Sequence, residues 1–141
     1  MRRIVALLLT VAFMALAGCD RKQTTVHKKN TMTLQQMKDM FANMRANTKW
    51  DVDGEMLWGF FFTDPDTNKL ERASQRLVSS GYRLVRIYPT DDKSTCVLHV
   101  ERVEKHTPQT LQARNVEFER LAGELGLESY DGMDVGPVLT K

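Results

Sequence analysis

Apolar positions recur along the chain with two periods, and the switches between them mark its elements. Leu34, Met37, Phe41 and Met44 fall on one helical stripe, with Met40 at its edge. Ahead of them, Thr33-Leu34-Gln35-Gln36 reads as a capping box, with the Thr33 hydroxyl at the N-cap and Gln36 at N3. An amphipathic helix is predicted over 33–47. Asp51-Val52-Asp53-Gly54 reads as a turn. Glu55 to Thr63 then alternates as a strand, with Trp58, Phe60 and Phe62 on one face and Phe61 on the other. Asp64 or Asp66 caps the next helix, whose buried stripe is Leu70, Ala73, Leu77 and Val78 and which Gly81 ends. Tyr82 to Tyr88 is a second strand closed by Pro89, and Thr90-Asp91-Asp92-Lys93 is a hairpin loop. Thr95 to Val103 is a third strand, with Cys96, Leu98 and Val100 on one face. Thr107-Pro108 opens a last helix that turns Leu111, Phe118, Leu121, Ala122 and Leu125 inward and stops at Gly126. Leu127 to Tyr130 makes a short final strand, and 131–141 reads as an irregular tail.

From Trp50 onward the order is β-α-β-β-α-β. That order predicts an α+β, ferredoxin-like domain over 50–141, an antiparallel sheet with two helices on one face. The helix over 33–47 stands before it. Its stripe has three possible covers: this domain, a membrane interface or another protein.

Upstream, Arg2 and Arg3 precede an uncharged apolar run from Ile4 to Leu16. A basic start, a short apolar stretch and small residues form the order of a secretory signal. The run falls short of the roughly 20 residues that a membrane-spanning helix needs. Leu16-Ala17-Gly18-Cys19 resembles the lipobox of bacterial lipoproteins. The resemblance implies diacylglycerol on the Cys19 sulfur, cleavage before Cys19 and acylation of the new amine. Residues 1–18 are then a signal peptide and 19–32 a flexible polar tether. Asp20 is similar to the inner-membrane retention signal of enterobacterial lipoproteins. The expected location is the cell envelope, on the inner membrane facing the periplasm, with membrane lipid reached through Cys19.

Charge divides along the same boundary. Residues 19–49 carry seven basic side chains against Asp20 and Asp39, a net of +5. Residues 50–141 carry 11 basic and 16 acidic side chains, a net of −5. A basic tether suits an anionic membrane surface, or simply keeps a linker soluble. A nucleic-acid binder would place its basic patch on the folded domain, so no nucleic-acid partner is expected. With Cys19 lipidated, Cys96 has no partner for an internal disulfide. Its place in Cys96-Val97-Leu98 predicts burial, the other reading being a free thiol for a second chain.

Gly81-Tyr82 after one helix, and Leu121-Ala122 leading to Tyr130-Asp131-Gly132 after the other, resemble the RraB family, regulators of ribonuclease E activity. The resemblance runs over about 51–138. It implies the same ferredoxin-like fold and a non-catalytic, protein-binding role, with Gly81, Tyr82, Tyr130, Asp131 and Gly132 as motif positions. Met133 stands where the family usually has tryptophan, and the acidic tails of its cytoplasmic members are absent. Gly132 would supply positive φ at a tight turn, and Asp131 can bond nearby amides. Ribonuclease E works in the cytoplasm, so an exported chain could not meet it.

Chemistry-bearing patterns are sparse. Asp64-Pro65-Asp66-Thr67-Asn68 starts like a calcium loop, but Lys69 and Gln75 occupy its glycine and glutamate places. His99 and Glu101 share a strand face without a Cys or His pair at zinc spacing. Cys96 and His99 point to opposite faces, and no serine sits in a nucleophile elbow. No metal, cofactor, small-molecule substrate or catalytic residue is expected. The expected function is a membrane-anchored lipoprotein whose RraB-like domain binds or regulates an envelope protein. The open sheet face and the methionine-rich helix are its contact surfaces. Two alternatives stand beside it. One is a ribonuclease E regulator, if a cytoplasmic form begins at Met32 or Met56. The other is a metal-dependent or hydrolytic enzyme using His99, Glu101 or Asp131.

Overall fold

The computed structural model describes residues 32–139. The signal segment, Cys19 and most of the tether lie outside them. Seven elements follow in order: α1 (Leu34–Asn47), β1 (Met56–Asp64), α2 (Thr67–Ser79), β2 (Arg83–Pro89), β3 (Cys96–Glu104), α3 (Pro108–Glu124) and β4 (Ser129–Gly136). The sheet order is β2-β3-β1-β4, and every neighbouring pair is antiparallel. This is the expected ferredoxin-like arrangement, with α2 and α3 over one face.

Local chemistry explains the helix limits. Asp66 Oδ1 accepts from the Asn68 amide at 3.0 Å and so caps α2. Asp64, the other cap candidate, is buried and ties the sheet to its surroundings instead. It accepts from the amides of Asp66 (2.8 Å) and Glu128 (3.0 Å), and Lys69 Nζ lies 3.5 Å away. Thr107 and Thr110 cap α3 reciprocally, with Pro108 in its first turn. Both helices end alike. The Tyr82 amide donates to Leu77 O (3.1 Å) and Gly81 to Val78 O (3.0 Å). The Leu127 amide donates to Ala122 O (2.9 Å) and Gly126 to Gly123 O (3.2 Å). Each is a Schellman closure on a positive-φ glycine, and each delivers its next side chain, Tyr82 or Leu127, into the core.

The core lies between sheet and helices. Trp58, Phe60, Phe62, Leu98 and Val100 supply the sheet side and Leu70, Leu77, Leu111 and Phe118 the helix side. Phe118 meets Phe60 and Phe62 edge-on at centroid distances of 4.9 and 5.3 Å.

α1 belongs to this core. Its capping box is formed, and Met37, Phe41 and Met44 are buried. α1 packs on α3, and Phe41 stacks on Trp58 with centroids 6.0 Å apart. Each such side chain contributes about 1.5–3 kcal/mol by leaving water. The apolar stripe is therefore covered by its own domain and is not open to a membrane or a partner.

Three expectations need correction. Val78 is 47% exposed rather than buried, because it lies on the flank of α2 opposite Arg76, the residue that pairs with Glu124 of α3. Cys96 is half-buried, packed against the core near the start of β3. Residues 131–136 are not an irregular tail but most of β4. Gly132, at φ +100°, does not make a turn there. It sits beside a bulge in which Asp131 is the extra residue, and pairing with β1 resumes beyond it.

Candidate functional site

Of the five motif residues, the two tyrosines are interior. Gly81 is the α2 closure, and Tyr82 is buried with its ring edge-on to Phe60 at 5.9 Å. Its hydroxyl accepts from Arg114 Nη1, and burial pushes its pKa up to about 12 against the pull of Arg114. Tyr130 is buried against Phe62 and Phe118. Its hydroxyl donates to Asn115 Oδ1, and burial pushes its pKa well upward. Asn115, buried mid-helix in the α3 stripe, is a polar core residue that the apolar pattern passes over. Met133, at the tryptophan position, packs on the core with its sulfur 3.9 Å from Asn115 Nδ2. The two tyrosines thus flank Phe118 from opposite ends of the sheet. Packing accounts for Tyr82 and Tyr130, and positive-φ backbone for Gly81 and Gly132, while Asp131 is exposed at the bulge.

A polar network closes one rim of the covered face. Glu104 accepts from Arg114 Nη1 (2.8 and 3.0 Å) and pairs with His106 Nε2 (2.9 Å), and Arg102 lies at 3.4 Å. His106 is itself buried, edge-on to Trp58 at 5.4 Å, with Nδ1 3.0 Å from Thr110 Oγ1. Burial pushes the Glu104 carboxyl up, yet the hydrogen bonds from His106 and Arg114 outweigh it and hold the group below its usual range. Each of these groups is occupied in structural bonds.

The open face of the sheet is the other candidate. Register places two rows across the four strands: Arg83, Glu101, Gly59, Asp134, and Arg86, His99, Phe61, Gly132. His99 stacks on Phe61 with centroids 4.4 Å apart, and Arg86 lies 4.2 Å above the Tyr88 ring. Arg83 forms an ion pair with the buried Glu101 carboxylate. Gly59 leaves the space that His99 and Asp134 share. A Cβ there would stand 2.8 Å from His99 Nε2 and 2.2 Å from Asp134 Oδ1. His99 Nε2 is buried without a hydrogen-bond partner. Burial pushes its imidazole below the ordinary value, Arg86 and Arg83 add to that, and Asp134 opposes it.

Of the three residues considered for catalysis, His99 and Glu101 share this face. The side chain that approaches His99 is Asp134, not Asp131, because the bulge shifts β4 by one residue. Among the described residues, no three His, Cys, Asp or Glu side chains are grouped to hold a metal. No described helix is long and apolar enough to cross a membrane. Asp134, Arg86 and Tyr88 become legible only with the register. Bulges at Val85 and Asp131 break the two-residue period by which a strand face is read from sequence.

A comparison with curated proteins finds no match. A family model does match. Regulator of ribonuclease activity B covers residues 34–135, more than half of the chain, and so takes in α1 as well as the ferredoxin-like elements. That family is regulatory and non-catalytic, and its members act by binding protein. On that match and this fold, the chain belongs to the RraB family.

Proposed function

We propose that this chain is a lipoprotein held at a bacterial membrane through Cys19, whose RraB domain binds and regulates a protein of the cell envelope. The observation that carries the reading is Leu16-Ala17-Gly18-Cys19 directly after a basic start and an uncharged apolar run. A single acyl chain binds a membrane only marginally, whereas two or three give a lasting anchor, at about 0.8 kcal/mol per buried CH₂. The net +5 of residues 19–49 adds attraction to anionic lipid, and the −5 of residues 50–141 leaves the domain free of that surface. Asp20 directs the anchor to the inner membrane, periplasmic side. The domain supports a binding role because the polar groups of its covered face are engaged in structural bonds, while its varied polar surface lies on the open sheet face and edges.

A second reading has an observation of its own. Met32 stands just before Thr33, which caps α1, and the family match begins at residue 34. A chain started at Met32 would keep the whole core and could meet ribonuclease E in the cytoplasm. One started at Met56 would lose the buried stripe of α1.

Mass spectrometry of the N-terminal peptide from isolated membranes decides between them. The expected species is a chain beginning at diacylglyceryl-modified Cys19, with Cys19→Ser moving the protein out of the membrane fraction. An unmodified chain beginning at Met1 or Met32 would overturn the anchor and make ribonuclease E the first partner to test.

A further inference from the structure

The two outer strands of the sheet carry opposite chemistry. β4 presents Asp131, Gly132, Asp134 and Gly136. β2 presents Arg83, Leu84, Val85 and Arg86, all exposed. Among the described residues β2 pairs only with β3, and no described strand takes up the main-chain donors and acceptors of its other edge.

Register sorts the β2 side chains. Arg83, Arg86 and Tyr88 lie on the open face, opposite Glu101, His99 and Val97. Leu84 and Ile87 lie on the helix face, opposite Val100 and Leu98, and Val85 is the bulged residue. Yet Leu84 stays 41% exposed and Val85 36%. Val78 of α2 adds to them. Arg76 pairs with Glu124 of α3, and Val78 follows two residues later, about 200° around the helix. Its side chain, 47% exposed, is therefore on the flank away from α3, the flank beside β2. One side of this edge carries exposed guanidinium groups and the other exposed apolar side chains. The Arg83 side chain remains 69% exposed despite its pairing with Glu101.

We propose that the β2 edge docks an extended acidic segment of the partner protein, one that alternates Asp or Glu with Val, Ile or Leu. The proposal rests on the reading that the domain acts by binding protein. Added as a fifth strand, such a segment places its carboxylates beside Arg83 and Arg86 and its apolar side chains beside Leu84, Ile87 and Val78. Pro89 lacks an amide hydrogen and limits the docked stretch to Arg83–Tyr88. Charge argues against two nearer occupants. The chain's own residues 19–31 carry Arg21, Lys22, Lys28 and Lys29 against Asp20 alone. A second copy of β2 would bring its own Arg83 and Arg86 to the same seam.

The test uses the full chain in detergent and two labelled peptides as long as β2. One alternates Glu and Val, and the other has the same composition in two blocks. The alternating peptide is expected to bind about tenfold more tightly, since only it matches both faces of the edge. Its amide shifts by NMR should centre on Arg83–Tyr88, and Arg86→Glu should weaken it about tenfold. Equal binding of the two peptides, shifts centred elsewhere, or a concentration-dependent dimer lost in Arg86→Glu would overturn the proposal. An envelope partner crosslinked equally well by wild type and Arg86→Glu would overturn this edge and leave the binding role standing. Repeated recovery of no partner would sink the role itself.

Discussion

Phe60, Phe61 and Phe62 are consecutive residues of one strand, yet they belong to two different surfaces. Phe60 and Phe62 are fully buried under the helices among Phe118, Tyr82 and Tyr130. Phe61 is half-buried on the other face, with His99 as its stacking partner. The covered face is apolar and aromatic, and its polar atoms (the hydroxyls of Tyr82 and Tyr130, the Glu104 carboxylate) each have a partner. The open face mixes Arg83, Arg86, His99, Glu101 and Asp134 around a glycine and leaves His99 Nε2 unpaired. Burial on the first face holds the fold together. The second face and its edge are left for what the domain meets.

The largest effect should come from breaking the covered face. Phe62→Ala removes a ring that touches Phe118 and Tyr130 and should cost about 3–5 kcal/mol in urea unfolding. A loss below about 1 kcal/mol would mean that the helix layer does not hold the sheet as described.

The rim should respond next. Glu104→Gln leaves Arg114 and His106 without their shared carboxylate and should cost about 1–3 kcal/mol near neutral pH. The effect depends on acid in a stated direction. The folded-state pKa of Glu104 is depressed. Its stabilisation is therefore complete above the usual carboxylate range and is lost as pH falls through the lowered folded value. Wild type and Glu104→Gln should converge in stability as the solution is acidified. A gap that stayed constant into strong acid would show that packing, not charge, is what the glutamate supplies.

The smallest effect is expected on the open face. Phe61→Ala should change stability by about 1 kcal/mol or less, because the ring is half-exposed and leaves no closed cavity. Its signature should be electrostatic. Without the stacked ring, His99 gains water, and its NMR titration should move up toward the ordinary histidine value. An unmoved titration would mean that Phe61 does not set the surroundings of His99.

Much of the covered face and its helices is legible in the sequence. Helix limits are, because Thr33, Asp66, Thr107, Gly81 and Gly126 act through backbone groups within a few residues of themselves. So is the inward face of β1, because Trp58, Phe60 and Phe62 keep the two-residue period without interruption. Val78 departs from its stripe because a helical period does not show that α2 meets α3 on the Arg76 flank, opposite Val78. β4 runs past Tyr130 because Gly132 at positive φ suits both a turn and a bulge, and only a strand alongside decides between them. Asn115 and His106 escape an apolar pattern because a buried polar residue shows its worth only beside its partner. Those partners, Tyr130 and Glu104, are separated from them by a loop or a strand end.

By itself, then, the sequence determined the element order, the caps and the covered face of the sheet, all consequences of short-range chemistry and periodicity. It also carries the Cys19 signal on which the anchoring proposal stands. The tertiary structure alone decided that α1 packs on α3, that Asp134 rather than Asp131 meets His99, and that β2 keeps an exposed basic and apolar edge. Each of those depends on strand register and on where a neighbouring element stops, and both are set by contacts between residues far apart in the chain.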